Sequence, residues 1–214
     1  MVAAQVSHAR DVAFDLLRRL HGGHGKTRFA LCGSAAFAVH GIPVNRPLGD
    51  VDIAAVEPVS SGAGLRRALA EAGCEKLESL KKFPGLIRQG RVSFVLDGLT
   101  FELLCQHTRA AAALPPQAEA AKNVMKFTRE SVRIIDGVPV LDIDAIVVWQ
   151  ALFDRPKDRA TIEEVVKHKR IDGKPSIQDR DKVLDLVIAN KSKHHDVVTF
   201  LRHTLWNPWH DSYR

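Results

Sequence analysis

Apolar residues recur at intervals of three and four positions in several stretches of the chain, which is the period of an amphipathic helix. Together with Gly or Asp residues at the expected ends, this pattern predicts helices at residues 6–20, 35–40, 65–72, 143–153, 161–169, 179–190 and 196–205. No strand is predicted among the last four helices. They therefore predict a C-terminal helical bundle that begins after the capping residue Asp142.

Short β-prone runs lie between the earlier helices and predict strands at residues 28–32, 50–56, 91–96, 100–105, 132–135 and 138–141. Asp97-Gly98 separates the third run from the fourth, which is a strong signal for an antiparallel hairpin. Asp136-Gly137 indicates another hairpin or a bent strand between the last two. The predicted fold is α/β (α+β), with a mixed sheet and flanking helices in residues 1–141 and a helical domain in residues 142–214.

The composition predicts a globular protein without a membrane segment. The chain has 214 residues, of which 45% are hydrophobic, and its longest apolar stretches fall short of the roughly 20 residues that a spanning helix needs. The first residues mix charged and apolar positions and lack the pattern of a signal peptide, so we expect a cytoplasmic location. Cys32, Cys74 and Cys105 are odd in number and widely spaced, and we expect reduced cysteines in the core.

The net charge is compatible with an anionic partner, since it is +6 and the isoelectric point is about 9.4. The last sixty residues hold thirteen Lys and Arg against nine Asp and Glu, which is +4 of the +6. If an anionic partner such as RNA binds, we expect this segment to contribute.

Paired carboxylates are the main chemical feature of the sequence. Asp50 and Asp52 lie two positions apart on a predicted strand, so they share a face with Cα atoms roughly 6.5 to 7 Å apart. Glu102 lies between apolar neighbours on a later predicted strand and can supply a third oxygen ligand. An all-oxygen group of this kind suits a hard cation such as Mg²⁺, and two such cations can promote phosphoryl transfer.

A Gly-Ser turn precedes the acids. Gly33-Ser34 lies between a predicted strand and a predicted helix, where backbone N–H groups and the Ser hydroxyl can approach a phosphate closely. In isolation Asp50 and Asp52 are more typical of a solvated strand edge. The Gly-Ser turn, Arg46 and the third acid together favour a site.

These motifs resemble a known group of proteins. The signature of the DNA polymerase β-like nucleotidyltransferase superfamily is similar to Gly33-Ser34, Arg46, Asp50-Val51-Asp52 and Phe101-Glu102-Leu103. The C-terminal pattern of abortive-infection-type (type IV toxin-antitoxin) nucleotidyltransferases is similar to Val138-Pro139-Val140-Leu141, a helix, and Arg155-Pro156-Lys157-Asp158. Together the matches run from residue 28 to residue 165.

The resemblance implies transfer of a nucleoside monophosphate from an NTP to an acceptor, which in toxin members can be the 3′ end of tRNA. It implies that Asp50 and Asp52 bind Mg²⁺, with Glu102 as the third ligand, helping to activate the acceptor hydroxyl. Ser34, in the Gly33-Ser34 turn, and Arg46 would hold phosphates. A toxin of this kind can also have a cognate antitoxin.

Lys157 lies in a segment that would return towards the cleft, where it could contact a phosphate. A solvated charge is an equally good interpretation of this residue.

The sequence departs from the family at three positions. The family often has Thr where Leu48 stands, Lys near Gln150 and another Asp near Thr161.

Two alternatives remain at this stage. The same site could modify a small molecule or a protein hydroxyl, because acceptor identity depends on loops. The second alternative is a catalytically degenerate module that binds nucleotide or RNA. It is motivated by the departures from the family at Leu48, Gln150 and Thr161.

Other motifs are interpreted as structural. Gly25-Lys26-Thr27 imitates a P-loop but follows a helix and precedes a strand, the reverse of the required order. His194-His195 lacks a second ligand pair. Trp206 and Trp209 are interpreted as residues that pack the C-terminal segment onto the core. Asp97 is interpreted as a turn residue, and Asp142 and Asp144 as residues that begin a helix.

Overall fold

The computed structural model describes residues 2–21, 29–44, 49–57, 62–78, 81–82, 89–106, 115–169, 173–191 and 195–206. Several sequence motifs lie outside these residues or have side chains outside the description. They are Gly25-Lys26-Thr27, Arg46, Leu48, Cys105, His194 and Trp209.

The described strands form a mixed sheet. They are β1 (Phe29–Leu31), β2 (Val51–Ala55), β3 (Lys81–Lys82), β4 (Gln89–Leu96), β5 (Leu99–Gln106), β6 (Val132–Ile135) and β7 (Val138–Leu141). Their order is β3-β4-β5-β2-β1-β7-β6, which makes β2 the middle strand. β2 pairs parallel with β5 and antiparallel with β1, and β1 pairs parallel with β7.

Helices flank the sheet and fill the C-terminal third. They are α1 (Val2–His21), α2 (Gly33–Val39), α3 (Gly62–Glu71), α4 (Pro115–Glu130), α5 (Ile143–Phe153), α6 (Pro156–Val166), α7 (Arg180–Lys191) and α8 (His195–Leu205). α1 packs against β1 and β7, and α2 packs against β2. α5 contacts α2 as well as α4, α6 and α7, so it connects the sheet layer to the helical part.

The predicted fold class is confirmed, with a mixed sheet, flanking helices and a C-terminal set of helices. Both D-G hairpins are confirmed as antiparallel pairs. Asp97 and Asp136 adopt positive φ angles of 48° and 52°, and the Gly after each also has positive φ, which two-residue hairpin turns require. The division at residue 141 stays a prediction.

Three elements differ from the sequence-based expectation. β3 (Lys81–Lys82) lies where no strand was predicted. α4 was not predicted, although Ala120, Val124 and Thr128 are buried at the four-residue spacing of a helix face. α6 begins at Pro156 instead of residue 161. Proline suits the first turn of a helix, because its missing N–H would have no intrahelical partner there.

The two Asp residues at the start of α5 have different structural roles. Asp142 caps α5, since its Oδ1 accepts a 2.7 Å hydrogen bond from the Ile143 amide. Asp144 is buried and accepts backbone N–H groups of Gln178 at 3.0 Å and Asp179 at 2.8 Å, just before α7. It therefore ties α5 to the beginning of α7.

Among the described residues, no helix is long and apolar enough to cross a membrane. Cys32 and Cys74 are buried free thiols, as expected for core cysteines. Trp206 differs from the packing expectation, because 42% of its surface is exposed at the end of α8.

Candidate active site

Three carboxylates meet where the central strands pair. Asp52 on β2 lies directly opposite Glu102 on β5 in the parallel register, and Asp50 immediately precedes β2. One carboxylate oxygen from each of the three lies within 4.8 Å of the other two. The acids predicted from the sequence are thus brought together, and the sheet ladder holds two of them in register.

The turn at Gly33 is fitted to the acid beside it. Gly33 has φ +63°, and a β-carbon added to it would lie 2.0 Å from Oδ2 of Asp52. The Cys32 amide donates a 2.9 Å hydrogen bond to the Asp52 carbonyl oxygen. Glycine is therefore required both for the backbone conformation and for the close approach of α2 to the carboxylate.

Asp52 has a raised affinity for a proton. Burial is the main cause, and the negative charges of Asp50 and Glu102 add to it, so that the pKa of Asp52 rises to about 7. Lys157 and Arg155 oppose the shift. Three oxygen ligands with a surplus of negative charge fit a hard divalent cation, which would replace the proton and neutralise the repulsion.

Arg91 on β4 also contacts the cluster. Its Nη1 donates a 2.6 Å hydrogen bond to Oε1 of Glu102, and both side chains are largely buried. The interaction fixes one carboxylate oxygen of Glu102 from the side of the sheet away from β2. Arg91 was not identified from the sequence, although its position opposite β5 follows from the hairpin register.

A pocket opens from the acids towards the helices. Gly33, Ser34, Asp50 and Asp52 line its polar end. Its apolar wall comes from β5, α4 and α5, through Leu104, Met125, Ile146, Trp149 and Phe153. The cavity thus joins an anionic end to a hydrophobic slot.

Two cations stand at the mouth of this pocket, on the corner between α5 and α6. Arg155 is held by Asp158 through hydrogen bonds of 2.7 and 3.0 Å, and its guanidinium carbon lies 5.2 Å from the Phe153 ring centre. Lys157 is exposed and lines the pocket together with Ser34. Asp154 makes the corner with φ +55° and accepts a 2.7 Å hydrogen bond from Arg159.

The structure therefore places Gly33, Ser34, Asp50, Asp52 and Lys157 around one cavity, with Glu102 joining the two Asp residues. Arg46 lies outside the described residues. The pocket also contains groups that sequence reasoning missed, namely Met125, Thr128, Trp149 and Arg155. The unpredicted α4 supplies the first two, so its buried four-residue spacing was the signal that could have found them.

No family model matches the sequence, and no curated protein is significantly similar to it. Among solved structures, the chain is similar to a candidate nucleotidyltransferase from Thermotoga maritima, with 17% identity, coverage of 74% of this chain and 92% of that one, and a TM-score of 0.47. A candidate nucleotidyltransferase from H. pylori has 14% identity, coverage of 94% and 92%, and a TM-score of 0.44.

The antibiotic-resistance factor ANT(2″)-Ia has 12% identity, coverage of 100% and 97%, and a TM-score of 0.43. All three likenesses are distant in both sequence and geometry. The functional assignment therefore depends on the site itself.

Proposed function

We propose that this protein is a Mg²⁺-dependent nucleotidyltransferase that moves a nucleoside monophosphate from an NTP to an acceptor hydroxyl. The observation that carries the proposal is the group of three carboxylates within 4.8 Å, at the end of a pocket that also presents Gly33-Ser34 and two cations. We expect such an enzyme to be located in the cytoplasm, where NTPs are abundant.

In this proposal Asp50, Asp52 and Glu102 hold Mg²⁺, which supplies Lewis-acid stabilisation of the phosphate oxygens when bound. Gly33 permits the α2 backbone to approach the triphosphate, and the Ser34 hydroxyl donates to a phosphate oxygen. Arg155 and Lys157 lie at the pocket mouth, where their charge favours the β- and γ-phosphates. Arg46 is proposed as a further phosphate ligand from its sequence position.

The proposed reaction forms one bond and breaks one. The acceptor oxygen bonds to the α-phosphorus, while the bond from that phosphorus to the bridging oxygen breaks and pyrophosphate leaves with the electron pair. Glu102 receives the acceptor proton. Its hydrogen bond with Arg91 fixes the carboxylate for this role.

The experiment that tests the proposal is incubation with each labelled NTP, Mg²⁺ and a panel of acceptors, with Asp52→Ala as the inactive control. Label should be transferred by the wild type and lost with Asp52→Ala or with EDTA. Mg²⁺-independent nucleotide binding that also survives Asp52→Ala would instead support a degenerate nucleotide- or RNA-binding module.

For the acceptor we propose RNA, with the 3′ end of tRNA as the first candidate and a toxin-type role in which an antitoxin is a partner. The support is the charge of the last sixty residues, which hold +4 of the net +6. Reversing exposed charges there, with Lys167→Glu, Lys174→Glu and Lys182→Glu, should weaken RNA labelling while NTP binding is unchanged. Equal labelling by this variant would favour a small-molecule or protein hydroxyl.

A further inference from the structure

The apolar wall of the pocket has the composition of a nucleobase slot. Leu104, Ile146 and Met125 are aliphatic, and the rings of Trp149 and Phe153 lie 6.2 Å apart at an interplanar angle of 32°. A flat heterocycle can pack against such surfaces in any of its four common forms. Packing alone therefore does not select among NTPs.

Selection requires a polar group, and two of the polar groups in this slot are already engaged. The indole N–H of Trp149 donates a 2.9 Å hydrogen bond to Oγ1 of Thr128. The Thr128 hydroxyl in turn donates to the Val124 carbonyl oxygen at 2.8 Å. Both donors are used within the protein, so neither is available for a base.

Gln150 differs from these groups. Its Oε1 is buried and has no hydrogen-bond partner among the described residues, although the side chain lines the pocket. A buried acceptor without a donor is unfavourable, and native proteins rarely keep one without a reason. A ligand N–H group that reaches Oε1 from the pocket would remove that penalty.

We infer that Gln150 selects NTPs whose base carries an exocyclic amino group in the position where others carry a keto group. This inference rests on the proposed function. In the amide orientation of this structure, which leaves Oε1 unpaired, the amino groups of adenine and cytosine can donate to Oε1, whereas the keto oxygens of guanine and uracil would face it with lone pairs. ATP and CTP are therefore the preferred nucleotides.

The test compares nucleotides that differ in this one group. Binding of ATP against inosine triphosphate, and of CTP against UTP, is measured by calorimetry with Mg²⁺ present. The wild type should bind each amino form on the order of tenfold or more tightly than its keto partner, because the keto form leaves an acceptor unpaired.

Two variants assign that preference to Gln150. Gln150→Leu should abolish the difference within each pair, whereas Gln150→Glu keeps an acceptor and should retain the preference for the amino form. Gln178→Leu, an exposed position outside the pocket, should leave the preference unchanged. Thermal unfolding shows whether Gln150→Leu folds, and removal of an unpaired acceptor predicts undiminished stability.

The outcomes separate this inference from the proposed function. Binding of all four nucleotides with equal affinity would overturn the selection by Gln150 and leave the nucleotidyltransferase proposal intact. A preference that persists in Gln150→Leu would do the same. If no NTP binds under any condition, both proposals fail.

Discussion

The Cα of Gly33 lies against the carboxylate of Asp52, so closely that a β-carbon on residue 33 would be 2.0 Å from Oδ2. The contact joins the first turn of α2 to the middle strand of the sheet. Any side chain larger than that of glycine at residue 33 would therefore displace the Asp52 carboxylate.

Gly33→Ala should therefore lower cation affinity as well as stability. The new methyl group must displace the Asp52 carboxylate, and alanine at φ +63° adds backbone strain of about 1 to 3 kcal/mol. Calorimetric titration with Mn²⁺ or Mg²⁺ would measure the first effect and denaturant unfolding the second.

Gly173→Ala is the matched control, since Gly173 has φ +76° and nothing within 4 Å of an added β-carbon. It should lose stability without loss of cation binding. Equal cation binding by both variants would show that the Gly33 contact does not shape the acid cluster.

Asp52→Asn should stabilise the protein in the absence of divalent cations at pH 8. The folded-state pKa of Asp52 is raised from 3.8 to about 7, so the folded state binds more protons than the unfolded state between these values. Protonated Asp52 therefore makes its full contribution to the free energy of unfolding below pH 3.8, and this contribution is lost as the pH rises to about 7.

The amide variant removes that loss, which is on the order of a few kcal/mol. Melting temperatures of wild type and Asp52→Asn should coincide near pH 4, separate as the pH rises to about 7, and differ by a constant amount above that value. Curves that stay parallel across this range would show that Asp52 titrates normally in the folded protein.

Cation binding should have the opposite pH dependence, because the ion competes with the Asp52 proton. Affinity should rise with pH up to about 7 and then level off. Below that value it should fall by about tenfold for each pH unit, since one proton is displaced. Titrations with Mn²⁺ at several pH values would test this, with Asp97→Asn in the turn expected to behave as the wild type.

Lys157→Met should raise the KM for NTP several-fold, whereas the affinity for Mg²⁺ should not fall, because the charge of Lys157 acts on Asp52 and repels a cation there. Lys157 lines the pocket mouth beside Ser34, whereas the proposed cation ligands are the three clustered acids. Lys167→Met removes a charge from the exposed C-terminal end of α6 and serves as the control. Equal KM values for the two variants would remove Lys157 from the proposed phosphate ligands.

Asp144→Ala should destabilise the protein by about 1 to 3 kcal/mol without altering the acid cluster, because it removes the buried carboxylate that accepts from the amides of Gln178 and Asp179 before α7. Chemical denaturation measures the change, and Asp185→Ala on the exposed face of α7 is the comparison. A loss no larger than that of Asp185→Ala would contradict the structural role of Asp144.

Local signals predicted most of the sheet. The two Asp-Gly pairs require positive φ angles that few other residues tolerate, so they located both hairpins. The proximity of Asp50 and Asp52 was also predictable from a local signal, since strand alternation places both residues on one face. The direct pairing of Asp52 with Glu102 was not predictable from the sequence, because the register between distant parallel strands depends on the whole sheet.

The helical wall of the site was less accessible to sequence reasoning. The buried stripe of α4 includes the small residue Ala120 and the polar residue Thr128, which do not stand out in the sequence as apolar positions. Arg155 is tied to Asp158, and only the left-handed corner at Asp154 turns that pair towards the acids. Such contacts arise from the packing of α5 against α6, which no local pattern encodes.

The two sides of the pocket differ in how freely they can move. Asp52 belongs to the middle strand of seven, so shifting it means breaking hydrogen bonds with neighbours on both sides. Arg155 lies in the two-residue corner between α5 and α6, and Lys157 lies in the first turn of α6. A substitution that shifts Asp52 would therefore disturb two strand pairings at once, whereas a change of Arg155 or Lys157 alters an exposed side chain and breaks no strand pairing.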